Sequence, residues 1–151
     1  MLASTLLCLV VGISDGDTLT ARCGQPGAYE QVKVRISAID APEKRQPFGN
    51  RAKQALSDLC YMQQASIRQT SRDRYSRIVA DVQCQGKDAG QHMVASGMAW
   101  VFDKYASKHQ HLYAYQQQAQ VEHRGLWQDP HAMPPWEWRK SNIKHIKSDE
   151  K

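Results

Sequence analysis

Three short segments near the start of the chain have the composition of β-strands, and turns that contain glycine separate them. They are residues 6–13, 18–23 and 31–39. In the third segment the letters VKVRIS alternate apolar and polar side chains, which is typical of a strand with one buried face. Pro42 lacks an amide hydrogen and restricts the residue before it, so this strand is expected to end near Asp40. The start of the chain therefore predicts an antiparallel meander.

The rest of the chain combines helical patterns with two further strands. Helices are predicted over residues 50–62, from Asp88 to Gly97, and over residues 108–123, while ASIRQT and IVADVQC have strand patterns. The prolines in LWQDPHAMPPWEW are expected to exclude further helix. A mainly β chain with these helices is predicted to form a five-stranded β-barrel of the OB type.

The size and charge of the chain narrow its class. At 151 residues it is expected to form one domain over residues 1–138, followed by a polar tail over residues 139–151 that is expected to be frayed. Its 20 Lys and Arg against 15 Asp and Glu give a net charge of +5, which favours an anionic partner such as nucleic acid. The sequence has no stretch near the ~20 apolar residues that a membrane-spanning helix needs.

The cysteines bear on the compartment in which the protein works. Four cysteines allow three pairings if they are oxidised, namely Cys8, Cys23, Cys60 and Cys84. Cys60 and Cys84 are predicted to face a common core, whereas Cys8 and Cys23 flank a turn and could bridge it in a register that is off by about one residue. Four buried free thiols in a cytosolic protein are the alternative. Oxidised cysteines would indicate export to the periplasm or outside the cell.

The apolar start of the chain is relevant to the same question. The segment MLASTLLCLVVGI contains neither the basic residues nor the small-residue cleavage site of a secretion signal, and it runs directly into SDGDT. It is therefore interpreted as the first strand rather than as a secretion signal. An exported protein is then expected to have lost its signal already.

Four polar clusters are predicted at the ends of the strands: SDGDT, RISAIDAPE, RDRYSR and FDKY. Asp17, Asp40 and Glu43 would supply the hard oxygen ligands that Ca²⁺ or Mg²⁺ prefers. Arg35 and Arg77 beside such a cation would form a clamp for a phosphoryl group. The histidines and cysteines lack the spacing of a zinc site. This combination indicates phosphodiester hydrolysis.

The motifs DGDT, RxxxxDxPE, DRYxR, GMAWV and GLW occur in this order between residues 6 and 127. With them the chain resembles the staphylococcal nuclease, or thermonuclease, family. The resemblance implies an OB barrel with three α-helices, one Ca²⁺ ion, and hydrolysis of DNA and RNA. We expect the protein to be a monomer and to prefer single strands.

The resemblance also implies a metal site and a residue that acts on water. Asp17 and Asp40 match the carboxylate ligands of the family, and the main-chain carbonyl of Ala41 completes the protein's share. Glu43 matches the carboxylate that orients or deprotonates the attacking water.

Five further residues match positions that contact the nucleic acid. Arg35 and Arg77 match the two arginines that hold the scissile phosphate and stabilise its transition state. Arg74, Tyr75 and Tyr105 match a basic and two tyrosine contacts to the terminal phosphate and base of a bound nucleotide.

The sequence departs from the family at two of these motifs. Ser76 stands where many members have glycine, so the backbone near Arg77 is expected to be strained or rearranged if that turn needs a positive φ. Ala41 stands where the best-known member has threonine, and because only its carbonyl would bind metal, little effect is expected.

Two other functions are compatible with an OB barrel. One is a catalytically inactive module that only binds nucleic acid, and the other is a metal-free single-strand binder that uses aromatic platforms. The intact set of charged residues favours an enzyme over the inactive module. The four tryptophans and the segment PPWEWR are expected to pack against the barrel, although PPWEWR also resembles a ligand of proline-binding modules.

Overall fold

A computed structural model describes residues 5–73, 75 and 77–141. In chain order its strands are β1 (Thr5–Asp15), β2 (Thr18–Cys23), β3 (Glu30–Ile36), β4 (Ile39–Asp40), β5 (Gln64–Arg72), β6 (Ile78–Cys84), β7 (Lys87–Asp88) and β8 (Trp100–Val101). Five of them form a barrel in the order β3–β2–β1–β5–β6, which closes because β6 also pairs with β3. The short β4 and β8 pair with each other. The predicted five-stranded OB-type barrel is confirmed.

Helices cover the outside of this barrel. They are α1 (Gly49–Cys60), α2 (Ala89–Ala95) and α3 (Leu112–Val121), with short 3₁₀ turns at Asp103–Tyr105 and Gly125–Gln128. The side chain of Asp88 accepts a 2.8 Å hydrogen bond from the amide of Gln91, so its predicted role as a helix cap is confirmed. Among the described residues no helix is both long and apolar enough to cross a membrane.

A fourth helical segment covers residues 135–141, and the expectation that the prolines exclude further helix is wrong. Pro135 lies in the first turn, where a helix makes no use of the missing amide hydrogen. The amide of Trp138 donates to the carbonyl of Pro134 at 3.0 Å. The first residues of the tail, 139–141, are therefore helical, and residues 142–151 lie outside the described part of the chain.

Alternate residues of the strands fill the barrel. In β6 the buried side chains are those of Ile78, Ala80, Val82 and Cys84, which gives the strand one buried face. On α1 the buried side chains recur at helical spacing and face β1. The barrel therefore gains its stability mainly from burial of these apolar side chains.

Two disulfides tie strands and helix together, Cys8–Cys23 and Cys60–Cys84. The hairpin begins with Asp15 opposite Thr18, and a plain continuation would leave Cys8 out of line with Cys23. Two irregularities in β1 each insert one residue, so that Leu9 lies opposite Arg22 and the two cysteines come together. These bulges resolve the mismatch of register that the sequence alone indicates.

The end of β3 differs from its predicted position. The strand stops at Ile36 instead of residue 39, because Ser37 and Ala38 turn the chain, Ala38 with a φ of 66°. The amide of Ser37 donates to the carbonyl of Ala80 at 2.9 Å, which holds the turn against β6. The chain resumes as β4, and β4 ends at Asp40 as predicted from Pro42. This turn folds Asp40 back toward Arg35.

Candidate active site

The hairpin between β1 and β2 packs directly against the end of β4. Thr18 pairs with Arg35 in the ladder, and the amide of Ala41 donates a 2.8 Å hydrogen bond to Oδ2 of Asp17. Gly16 makes this approach possible, because a Cβ there would lie 2.8 Å from the Cβ atoms of both Ala41 and Ala52. The DGD sequence thus brings a carboxylate to the neighbouring strand end.

Arg35 lies between two buried carboxylates. Its Nη1 is 3.3 Å from Oδ2 of Asp17, and its Nη2 is 3.5 Å from Oδ1 of Asp40. Nη1 also donates to the carbonyl of Ile39 at 2.9 Å. These contacts fix the plane of the guanidinium, which a lysine ammonium would not reproduce.

The carboxyl groups of the hairpin titrate differently from one another. Burial and the charge of Asp17 raise the pKa of Asp15 to about 7. Burial also acts to raise the pKa of Asp17, but the Arg35 charge and hydrogen bonds, including a 2.9 Å bond from the Thr18 hydroxyl, hold that pKa below its usual range. Asp17 is therefore the charged member of the pair near neutral pH.

Asp40 is the most enclosed acid of the site. Its side chain is only 1% exposed, and burial raises its pKa to about 6 despite hydrogen bonds from arginine. It lies opposite Trp100 in the β4–β8 pair.

Glu43 lies just beyond Asp40 and meets an arginine from the far end of the chain. Arg139 donates from Nη1 to Oε1 of Glu43 at 2.6 Å, and its two Nη atoms donate to Oδ1 and Oδ2 of Asp40 at 3.1 and 2.7 Å. Glu43 remains about one-third exposed, so water reaches it. Two arginines, Arg35 and Arg139, therefore contact three carboxylates at this end of the barrel, those of Asp17, Asp40 and Glu43.

Residues 33–129 of the chain match the family described as staphylococcal nuclease homologue. The chain belongs to this family. It is similar to a Haemophilus influenzae protein described as an uncharacterized endonuclease, with 43% identity over 133 residues that cover 88% of this chain and 72% of the relative. It is similar to a micrococcal nuclease of Shigella flexneri, with 36% identity over 88% of this chain and 80% of the relative, and to the ParB protein of Escherichia coli, with 35% identity over 88% and 78%.

Arg77, the second arginine expected from the staphylococcal nuclease family, lies on the neighbouring strand end. The parallel ladder pairs Arg35 with Val79, which brings Arg77 to the same end of the barrel. Its Nε is 2.7 Å from Oδ2 of Asp73, and Oδ1 of Asp73 accepts the amides of Tyr75 and Arg77 at 2.9 and 3.1 Å. In the described chain Arg77 thus has its ion pair within its own turn and not with the central carboxylates.

The two predicted tyrosine contacts are exposed. The Tyr75 ring lies 5.4 Å from the Arg77 guanidinium, and the Tyr105 ring stacks on Phe102 at 5.1 Å. Arg74 and Ser76 lie outside the described residues. The two tyrosines therefore lie at the surface, and Tyr75 lies beside Arg77.

The chemistry of the donors fits a hard cation such as Ca²⁺. Asp17 and Asp40 have carboxylate oxygens, which such a cation prefers. The amide of Ala41 donates a hydrogen bond to Asp17, so the Ala41 peptide lies beside these carboxylates. The positively charged guanidinium of Arg139 already contacts Asp40 and Glu43. Within residues 5–73, 75 and 77–141, however, no three His, Cys, Asp or Glu side chains converge as a metal cluster. Asp17, Asp40, Ala41 and water are the donors that would hold the ion.

Arg139 is the residue of this site that the sequence did not indicate. It is separated from Asp40 by 99 positions and stands in a segment predicted to be a frayed tail. The expected packing of PPWEWR against the barrel is confirmed, because the Trp136 ring contacts Trp100 at 5.8 Å and Phe102 at 5.1 Å. The aromatic residues of WEWR were the available signal that its arginine reaches the barrel.

Proposed function

We propose that this protein is a divalent-cation-dependent nuclease that hydrolyses phosphodiester bonds in DNA and RNA, with Ca²⁺ as the expected ion and water as the nucleophile. Its relationship to nucleases supports the reaction class. The observation that carries the proposal is the position of Arg35 between Asp17 and Asp40, with Glu43 beside them at the barrel end.

The charges of the site suit an anionic phosphodiester. A bound divalent cation would supply Lewis-acid polarisation of a phosphate oxygen. Arg35, already oriented by the Ile39 carbonyl, would donate to the phosphate as negative charge develops on its oxygens. Arg77 would do so from the adjacent strand end after it leaves Asp73.

Glu43 has the exposure that a residue acting on water needs. Its carboxylate lies next to the buried Asp40 through the shared Arg139 contact. In the proposed reaction it accepts a proton from the attacking water or orients that water toward phosphorus. Asp17 and Asp40 are too enclosed for this role, and they would hold the cation instead.

The exposed tyrosines and the net charge support the proposed substrate, and the disulfides support the proposed compartment. Tyr75 and Tyr105 are exposed rings that would stack on unpaired bases, which supports a preference for single strands. The net charge of +5 favours binding to the phosphate backbone.

Two disulfides support export to the periplasm or the medium, since such bonds persist in oxidising compartments. We expect the enzyme to act as a monomer.

The proposed function is tested by the release of acid-soluble nucleotides from single-stranded DNA, double-stranded DNA and RNA. The purified protein is assayed with Ca²⁺, with Mg²⁺ and with a chelator. We expect release that requires Ca²⁺ and is fastest with single-stranded DNA. Binding of DNA without cleavage in either metal would instead identify a nucleic-acid-binding module.

A further inference from the structure

The Arg139 guanidinium lies between Glu43 and Asp40, and Asp40 is one of the proposed cation ligands. It contacts both oxygens of Asp40, and it also donates to Glu43. Arg35 approaches the same Oδ1 of Asp40 at 3.5 Å. The lone pairs of Asp40 are thus largely engaged by two guanidinium groups.

The segment that carries Arg139 is anchored by contacts of its own. Gln46, which is buried, donates from Nε2 to the carbonyl of Met133 at 2.6 Å and accepts the amide of Glu43 at 3.1 Å. Trp136 packs between Trp100 and Phe102. These contacts hold residues 133–139 against the Glu43 loop. The position of Arg139 at the site is therefore fixed by packing and hydrogen bonds of the segment that carries it.

Electrostatics makes the guanidinium and a dication alternatives. Both would lie within a few ångströms of the buried Asp40 carboxylate, where their like charges repel each other. The guanidinium and the cation also need the same oxygens, those of Asp40, because a hard cation binds carboxylate oxygen directly. The orientation of Asp40 and Glu43 toward Arg139 is consistent with the lack of a three-acid metal cluster among the described residues.

We propose that Arg139 is an internal competitor of the divalent cation, so that the C-terminal segment holds Asp40 and Glu43 until the cation displaces the guanidinium. This inference rests on the cation dependence proposed above. It makes the C-terminal segment a determinant of cation affinity. An Arg139 docked nine-tenths of the time would weaken the apparent affinity about tenfold.

The test is isothermal titration of Ca²⁺ into the full chain without substrate, for the wild type, Arg139→Gln and Lys140→Gln. Lys140 is the matched control, because it is the next residue, is exposed and pairs only with Glu137 among the described residues. We expect Arg139→Gln to bind Ca²⁺ about tenfold more tightly, and Lys140→Gln to bind as the wild type does. Arg139→Lys, which keeps the charge without the two-pronged contact, is expected to fall between them.

A second measurement separates competition from a change of fold. Millimolar guanidinium chloride added to Arg139→Ala should weaken Ca²⁺ binding competitively, while potassium chloride at the same ionic strength should not. Circular dichroism of each variant monitors the fold.

Three results would overturn the inference while the proposed function stands: equal affinity in the wild type and Arg139→Gln, weaker binding in Arg139→Gln, or an equal gain in both glutamine variants. Absence of Ca²⁺ binding in every protein would overturn the proposed cation dependence and the inference together.

Discussion

Asp17 and Arg35 form an ion pair of 3.3 Å whose geometry is set by the backbone on both sides. Thr18 pairs with Arg35 across the β2–β3 ladder, and the amide of Ile36 donates to the Asp17 carbonyl at 2.8 Å. These backbone bonds hold the hairpin turn rigidly against the strand that carries Arg35. This rigidity is what a site needs to present a charged clamp without reorganisation.

Replacement of Arg35 by lysine should abolish most turnover and leave the fold intact. The charge remains, but the simultaneous contacts to Asp17, Asp40 and the Ile39 carbonyl require a planar guanidinium. We expect kcat on single-stranded DNA to fall roughly 10²- to 10³-fold. The matched control is Arg22→Lys on β2, where the guanidinium lies 4.6 Å from the Tyr29 ring and away from the site. Wild-type turnover in Arg35→Lys would remove Arg35 from the mechanism.

Gly16→Ala should destabilise the protein because the new Cβ has no room. It would meet the Cβ atoms of Ala41 and Ala52 at 2.8 Å, and a shift of either disturbs the hairpin that carries Asp17. Overpacking of this kind costs about 1–3 kcal/mol, measurable as a lower urea midpoint. Gly12→Ala is the control, since its Cβ would contact Thr20 at an ordinary 3.7 Å. Equal stability of the two variants would contradict the proposed packing.

Loss of the Cys60–Cys84 disulfide should weaken the fold without abolishing it. The bond joins the end of α1 to β6 across 24 positions of the chain. Its removal gives the unfolded chain more conformational entropy, which should lower the free energy of unfolding by about 3 kcal/mol. The double variant Cys60→Ser, Cys84→Ser should unfold at lower urea concentration than the wild type and become insensitive to reduction at that bond. A wild-type urea midpoint that does not change under reducing conditions would indicate that the bond contributes nothing.

Asp81 should make the stability depend on pH in the acid range. Burial acts to raise its pKa, but hydrogen bonds from His109 at 2.8 Å and Arg68 at 3.2 Å, with the His109 charge, hold that pKa below its usual range. A lowered folded pKa contributes stability that is complete above the unfolded pKa of about 3.9 and is lost as the pH falls through the folded value. Asp81→Asn should therefore be less stable than the wild type at pH 7, and the difference should shrink below about pH 4. A constant difference from pH 7 to pH 3 would contradict this origin.

The fold was largely readable from the sequence because its signals are local. The alternation in VKVRIS, the proline after Asp40 and the cap at Asp88 each act within a few residues, and the structure bears them out. The turn at Ala38 was not readable, since alanine at positive φ is held there by contacts with β6 and not by its own preference. The bulges that align Cys8 with Cys23 likewise depend on the whole barrel.

The candidate site was readable only where its residues follow strand ends. Asp17, Arg35 and Asp40 converge because neighbouring strands pair in a fixed register. Arg139 could not be found this way, because its approach depends on the docking of Trp136 and on the bond from Gln46 to Met133, contacts between segments far apart in sequence. Hydrophobic periodicity reports on the local helix or strand, and it does not show where a helical segment docks on a distant part of the chain.

The most direct test of the account is single-turnover cleavage of a single-stranded oligonucleotide in Ca²⁺ by Glu43→Gln, with Glu30→Gln at the start of β3 as the matched control. A residue that activates water contributes about 10²- to 10⁴-fold, so Glu43→Gln should cleave slower by that factor while it binds the oligonucleotide as tightly as the wild type. Glu30→Gln should cleave at the wild-type rate. Cleavage by Glu43→Gln at the wild-type rate would contradict the account, because the reaction would then proceed without the carboxylate placed beside Asp40.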